Sequence, residues 1–459
     1  MLNIRPGHDW GDDFAAYIHH AKNIATGHPY ADINFIQNPF NRIAPSTYPP
    51  AFPLFLSVVY GLFGMNLFAM KILVILFWLG ALSMMVFLFR TRIPSAWLAL
   101  LLLSVGTHPF LRFFLNNILS ETIFLFFSLL SIYFAEYLYA NKINKQSSYL
   151  FFIALGFIIY LVYATRVIGA IFIPLLIVYD FIKHKRFHKE TFFAVMTCAI
   201  LITFQKIVGI DATGFFLLSD FHLFAIPSKA MFCVKNFYFS ATTGREQFLL
   251  LAKSFLGIIG FCMATRRGID LVDLFALFYG CVILAYAPLL SFFDMVRYLV
   301  PLLPFCFYYI LLGAAEIASV AIKRLSIIIL IALFFIIIGS HAMSVIAGSR
   351  QQDFSSTGVA KKESVELFEY IKKNTNPQDV FIFIKPRALT LFTDRPASVY
   401  YAHKNRQDFL DYLVKIKARY IVIMRGHDLY LEQLVKAHEK NFLKVYENSD
   451  FQVFKFLIF

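Results

Sequence analysis

Charge is what this sequence has least of. Only 15% of its 459 residues are Asp, Glu, Lys or Arg, and 59% are hydrophobic; a soluble domain carries about 25% charged residues. Cysteine supplies no framework. Cys198, Cys262, Cys281 and Cys306 lie inside apolar runs, Cys233 stands alone in a connection, and no Cys-x-x-Cys pair occurs. Neither a disulfide scaffold nor a Cys/His metal site has support in that spacing. No Walker sequence or Gly-x-Gly-x-x-Gly fingerprint is present, so nucleotide binding has none either. The formal charge of +14 invites a nucleic-acid reading, but the basic residues sit where membrane topology places them, and no nucleic-acid partner is expected.

What is present is long apolar sequence. Ile72 to Phe89 and Ser326 to Ile346 contain no Asp, Glu, Lys or Arg, and a bilayer core needs about 20 apolar residues in a helix. About ten spans are expected, near 67–89, 94–109, 117–139, 149–164, 168–182, 191–207, 248–265, 271–290, 299–319 and 325–346. Their connections alternate. One set carries twelve basic residues, among them Arg90, Arg92, Lys183, Arg186, Arg266 and Arg267; the other carries six, including Arg112, Arg166 and Arg297. The positive-inside rule assigns the richer set to the cytoplasm. Both ends of the chain are then external.

Three regions follow: an external loop with interfacial helices over 1–66, a transmembrane domain over 67–346, and a soluble α/β domain over 347–459. The last reads as a helix near 359–374, a strand at 379–384, helices near 406–417 and 429–440, a strand at 420–424 between them, and a closing hairpin over 443–447 and 451–456. Residues 1–47 are too polar to cross a membrane, yet topology places them outside. Either this stretch is translocated unaided, or a first transmembrane helix lies upstream of Met1; the second is the expectation.

The chemistry-bearing residues gather on the external side. Gly11-Asp12-Asp13-Phe14-Ala15-Ala16-Tyr17 opens a helix to about Thr26, closed by Gly27. Asp13, Tyr17 and His20 fall at i, i+4 and i+7 and share a face. Acidic residues there suit helix capping and the macrodipole; beside a membrane, a carboxylate also serves as a general base. The spacing leaves both readings open. Tyr48-Pro49-Pro50-Ala51-Phe52-Pro53-Leu54 starts a short apolar helix ending at Phe63-Gly64, fit to lie at the outer interface. Glu121, Arg166 and Arg297 stand at external ends of spans, where charges either snorkel or function. Together they suit a ligand with a phosphate headgroup and an apolar tail.

In that order, Gly-Asp-Asp-x-x-x-Tyr, Tyr-Pro-Pro-x-x-Pro-Leu, Ser120-Glu121 and Arg297-Tyr298-x-x-Pro301-x-x-Pro304 make residues 7–320 resemble a known family. They resemble the bacterial relatives of protein O-mannosyltransferases and aminoarabinose transferases, including the Rgt-type lipopolysaccharide galacturonosyltransferases, all GT-C glycosyltransferases. The resemblance implies a polytopic α-helical membrane protein with a small extracytoplasmic α/β domain, in the bacterial inner membrane. It implies a polyprenyl-phosphate-linked sugar as donor and an extracytoplasmic glycolipid, glycan or protein as acceptor, with no organic cofactor and a divalent metal left open. Asp13, with Asp12 adjacent, maps onto the catalytic acidic position. Glu121 maps onto a second acidic position and Arg297 onto a basic one near the donor phosphate, with Arg166, Tyr17, Tyr48 and Tyr298 around them. Thr47 and Tyr48 stand where aminoarabinose transferases carry a Lys, so that particular substrate is not implied. The family's first span precedes the acidic loop, which again points upstream of Met1. The rival reading is a transporter or flippase for envelope lipids or glycans, which calls for internal repeats and a site at the midplane. A non-catalytic scaffold or sensor accounts for the tail but not for the paired carboxylates.

Overall fold

The computed structural model describes residues 4–39, 47–140, 145–210, 244–286, 297–320, 358–400 and 406–457, with isolated positions between 328 and 339. The chain begins with α1 (Asp12–Thr26), β1 (Phe35–Ile36) and α2 (Ala51–Phe63). The bundle follows: α3 (Leu67–Phe89), α4 (Ser95–Gly106), α5 (Pro109–Leu115), α6 (Glu121–Ala140), α7 (Lys145–Thr165), α8 (Phe172–His184), α9 (Lys189–Ile207), α10 (Gly244–Arg266), α11 (Leu271–Tyr286) and α12 (Leu303–Val320). Five helices among the described residues are long and apolar enough to cross a membrane: Leu67–Phe89, Glu121–Ala140, Val167–His184, Lys189–Ile207 and Arg297–Ala318.

Nine of the ten expected spans coincide with helices; the tenth, 325–346, lies largely outside the described residues, as does most of the 208–247 connection. One expected span is shorter than a bilayer core. Residues 94–109 form the 12-residue α4, which stops at Thr107, about 18 Å of helix against a core of about 30 Å. Pro109 lacks an N–H and disfavours helical backbone at the residue before it, so a new helix starts there. Pro301 and Pro304 act similarly: a 3₁₀ turn at Val300–Leu302 precedes α12.

Helices pack closely where side chains are small. A Cβ on Gly260 of α10 would collide with the Tyr309 carbonyl of α12, and one on Gly313 with the Leu256 carbonyl. The two glycines face each other and let the backbones approach, as membrane helices do. At the end of the bundle formed by the α3–α4 link, Arg92 gives both Glu136 oxygens a hydrogen bond at 2.6 and 2.7 Å and reaches Asp270 at 2.9 Å. Helix α2 spans 13 residues, about 20 Å. It buries Phe52 and Leu56 and leaves Leu54, Val58 and Leu62 more than half exposed, an apolar face suited to lipid rather than water.

The C-terminal region holds α13 (Lys362–Asn374), β2 (Val380–Ile382), α14 (Pro386–Thr393), β3 (Ala397–Ser398), α15 (Arg406–Lys415), β4 (Ala418–Met424), α16 (Leu429–Ala437), β5 (Phe442–Glu447) and β6 (Phe451–Phe456). The strand order is β1-β3-β2-β4-β6-β5. The first three pairings are parallel and the last two antiparallel. Alternation along β4 sends Ile421 and Ile423 into one apolar layer with Phe409 and Leu431, and Tyr420 and Val422 into the other with Leu367 and Phe381, as a sheet covered on both faces requires. The edge strand β1 comes from the N-terminal stretch: Phe35 pairs with Ala397 and Ile36 with Ser398. Trp10, also N-terminal, packs edge-on to Phe368, Phe383 and Phe451. The N-terminal segment is thus stitched into the C-terminal sheet and its core.

Candidate active site

Helix α1 packs between α2 and α14, and Phe14, Ala15, Ile18 and Ala21 are wholly buried. Gly27 closes it at φ 73°, a left-handed conformation that glycine adopts without strain. No side chain caps its N-terminus, so Asp12 and Asp13 are not occupied as caps of their own helix. Each is engaged elsewhere. Asp12 Oδ1 accepts the backbone N–H of Arg387 at 3.0 Å and of Ala388 at 3.3 Å, in the first turn of α14. Asp13 Oδ2 meets Arg297 Nη1 at 2.6 Å, and Asp13 Oδ1 accepts the Tyr48 hydroxyl at 2.6 Å.

The face predicted by the 4+3 spacing is the face Tyr48 occupies. Asp13 accepts a hydrogen bond from its hydroxyl, the Tyr17 ring lies 4.7 Å from its ring, and His20 Nε2 accepts its backbone N–H at 3.3 Å. The His20 Nδ1–H donates to the Tyr30 carbonyl at 2.8 Å; Tyr30 in turn donates to the Tyr48 carbonyl at 2.7 Å. Tyr17 also bonds Ser120 at 3.0 Å, tying α1 to the start of α6.

From Arg297 the network enters the bundle. Its Nε donates to Glu121 Oε1 at 2.7 Å, and Arg166 Nη1 lies 2.8 Å from the same oxygen. Glu121 is fully buried and its Oε2 has no hydrogen-bond partner among the described residues. The Arg166 guanidinium sits 4.5 Å from the Tyr298 ring centre, a cation–π contact that braces it. The structure therefore brings together Asp12, Asp13, Tyr17, Tyr48, Glu121, Arg166, Arg297 and Tyr298. Three carboxylates meet three arginines once Arg387 is counted. Arg387 is the residue that sequence reasoning missed. Its side chain is 1% exposed, and Nη1 donates to the Tyr48 hydroxyl at 2.9 Å.

The electrostatics separate the two adjacent aspartates. Burial pushes the Asp13 carboxyl up, but Arg297, the Tyr48 hydroxyl and Arg387 outweigh it and hold it at about 2. Burial pushes Asp12 above the usual carboxylate range against the pull of Arg387 and Lys385. Burial raises the Tyr48 hydroxyl well above its usual value and lowers His20 to about 3, so Tyr48 stays protonated and His20 neutral. A carboxylate that is ionised, hydrogen-bonded on both oxygens and set beside buried arginines can orient a hydroxyl and accept its proton as charge redistributes.

Asp12, Asp13 and Glu121 are the acidic groups of this cluster. Asp180, His184 and His188 form a separate set, with ligand atoms within 4.8 Å of one another, at the far end of α8. There His188 engages both Asp180 oxygens, through its N–H at 2.6 Å and its ring at 2.7 Å. Cavities of 390 Å³, lined by Phe187, His188 and Phe192, and 330 Å³, lined by Leu67, Val359 and Phe368, lie apart from the Asp13 cluster.

No protein-family model matches the chain, and no curated protein matches it by sequence. Solved structures do match. ArnT from Cupriavidus metallidurans, bound to undecaprenyl phosphate, aligns over 99% of this chain and 95% of its own at a TM-score of 0.58 and 13% identity. The Archaeoglobus fulgidus oligosaccharyltransferase AglB, in complex with an inhibitory peptide and a dolichol-phosphate, aligns over 98% of this chain and 71% of its own at 0.61 and 11%. At such identities the likeness concerns the fold alone. The chain has the GT-C fold, a polytopic helical membrane bundle carrying a small C-terminal α/β domain.

Proposed function

We propose that this chain is an integral membrane glycosyltransferase that moves a sugar from a polyprenyl-phosphate donor to an extracytoplasmic glycolipid, glycan or protein, in a bacterial inner membrane. The observation that carries the reading is the Asp13–Arg297–Glu121–Arg166 network at one end of the bundle. The lipid phosphates named for ArnT and AglB fit it, since arginines are the residues of choice for phosphate recognition. In this reaction the acceptor oxygen attacks the anomeric carbon, the bond to the donor phosphate breaks with its electron pair, and the acceptor proton passes to Asp13.

Asp13 is a weak base while Arg297 is fully paired with it. A donor phosphate drawing on the Arg297 guanidinium leaves Asp13 more basic at the step that requires it. Arg166 and Arg297 offset the negative charge that develops on the departing phosphate. Glu121, buried between them, holds both in place, while Tyr17 and Tyr298 brace Tyr48 and Arg166. This clustering at one end of the bundle supports an enzyme over a transporter, for which a midplane site is expected. Mass analysis of envelope glycolipids and glycoproteins from cells with and without the protein tests the reading. One glycan species should lose a single sugar; identical profiles would remove the proposal.

A further inference from the structure

The C-terminal α/β domain shows no catalytic signature in its sequence, yet it sends one charged side chain into the site. Arg387 stands in the first turn of α14, behind Pro386. Its main chain is pinned by Asp12. Its guanidinium lies 4.7 Å from the Phe35 ring centre and 5.1 Å from the Tyr48 ring centre. Phe35 belongs to β1, the strand that the N-terminal stretch lends to the C-terminal sheet. Three separate contacts thus fix one buried arginine beside Tyr48.

Hydrogen-bond chemistry then gives the chain a direction. A guanidinium only donates, whereas a phenol has one proton to give and lone pairs to receive. Arg387 Nη1 donates to the Tyr48 oxygen at 2.9 Å, so the Tyr48 proton must go onward, and Asp13 Oδ1 receives it at 2.6 Å. Asp13 Oδ2 is held by Arg297 from the opposite side. We propose that Arg387 is a positioning residue: it orients the Tyr48 hydroxyl toward Asp13 and thereby makes the C-terminal domain a working part of the active site. Arg297 and Arg166 deal with the donor, while Arg387, whose Nη1 is 3.9 Å from Asp13 Oδ1 but only 2.9 Å from the Tyr48 oxygen, acts on the Asp13 carboxylate chiefly through Tyr48. This rests on the glycosyltransferase reading for its catalytic consequence, but not for its geometry.

The test is a double-variant cycle on the full-length protein in detergent or liposomes. Arg387→Met should lower kcat about tenfold to a hundredfold, the loss of one hydrogen bond from a charged donor, with the donor KM unchanged. It should also move the acid limb of the pH profile upward. Tyr48→Phe should do the same, and the double variant should be no worse than Tyr48→Phe alone. Losses that multiply, or an Arg387→Met enzyme with the parent's kcat and acid limb, would overturn the assignment. If the methionine variant does not fold, Arg387→Gln, which keeps a neutral donor, takes its place in the cycle. A substrate-free readout separates this inference from the activity it serves. The carboxyl ¹³C resonance of Asp13 should titrate at higher pH in the Arg387 variant than in the parent, even if no sugar is transferred. An unshifted midpoint refutes the role of Arg387, whereas a shifted midpoint beside a parent protein that transfers no sugar refutes only the glycosyltransferase reading.

Discussion

Arg297 Nη1 lies 2.6 Å from Asp13 Oδ2, across 284 positions of sequence. The pair joins the N-terminal helix to the start of the last described bundle helix. Glu121 shares the same guanidinium, so the arginine cannot be removed without releasing two carboxylates at once.

Arg297→Ala is accordingly expected to act twice. It leaves Glu121 buried with Arg166 as its remaining cation, and breaking a buried pair costs about 3–5 kcal/mol. In the protein that still folds, the donor KM should rise while acceptor use changes little. Arg297→Lys should not restore donor use, because an ammonium lacks the planar fork that spans two partners. An unchanged donor KM in the alanine variant would take Arg297 out of the phosphate site.

Glu121→Gln should be harder on stability than Asp13→Asn. Glu121 is fully buried and shared by two arginines, whereas the Asp13 side chain is 25% exposed. Thermal unfolding in detergent, followed by circular dichroism, compares them; equal midpoints for the two variants would contradict the ordering.

Acid should loosen the packing around Tyr48. His20 and His19 are pushed by burial to about 3 and about 4, below the usual 6.5 or so. The unfolded chain therefore binds protons that the folded chain does not, and stability falls as pH drops from about 6.5 toward those values. His20→Gln should flatten the decline in unfolding temperature between pH 6.5 and 4. A slope identical to the parent's would show that His20 has no part in it.

Gly260→Ala tests the bundle rather than the site. The added methyl meets the Tyr309 carbonyl, so α10 and α12 must separate at a cost of about 1–3 kcal/mol. A variant as stable as the parent would contradict that close approach.

Much of this is legible in the sequence because it follows from local periodicity. Hydropathy places nine helices, and the 4+3 spacing of Asp13, Tyr17 and His20 marks the face on which Tyr48 sits. Charge placement at the ends of spans selects Glu121, Arg166 and Arg297 before their contacts are known. Helix α5 is not legible because its seven residues, Pro109–Leu115, are too few to show a helical period. Arg387 was illegible for a different reason. Nothing in Lys385-Pro386-Arg387 distinguishes it from other helix starts, and its meaning comes from Asp12 and Tyr48, both more than 330 positions away. The two-residue strand β1 is equally silent, since it exists only through its pairing with β3.

The central claim is that Asp13 is the acidic residue of a sugar-transfer site, and one measurement addresses it most directly. The purified full-length protein and its Asp13→Asn variant are reconstituted in liposomes, then given a panel of polyprenyl-phosphate-linked hexoses and pentoses with extracted envelope glycolipids, glycans or proteins. Release of free polyprenyl phosphate and labelling of the acceptor are followed together. The account predicts transfer from at least one donor by the parent. In Asp13→Asn the rate should fall by about 10²–10⁴, the usual contribution of a positioned acid or base, with the same unfolding profile. A folded Asp13→Asn protein that transfers sugar at the parent's rate would contradict it.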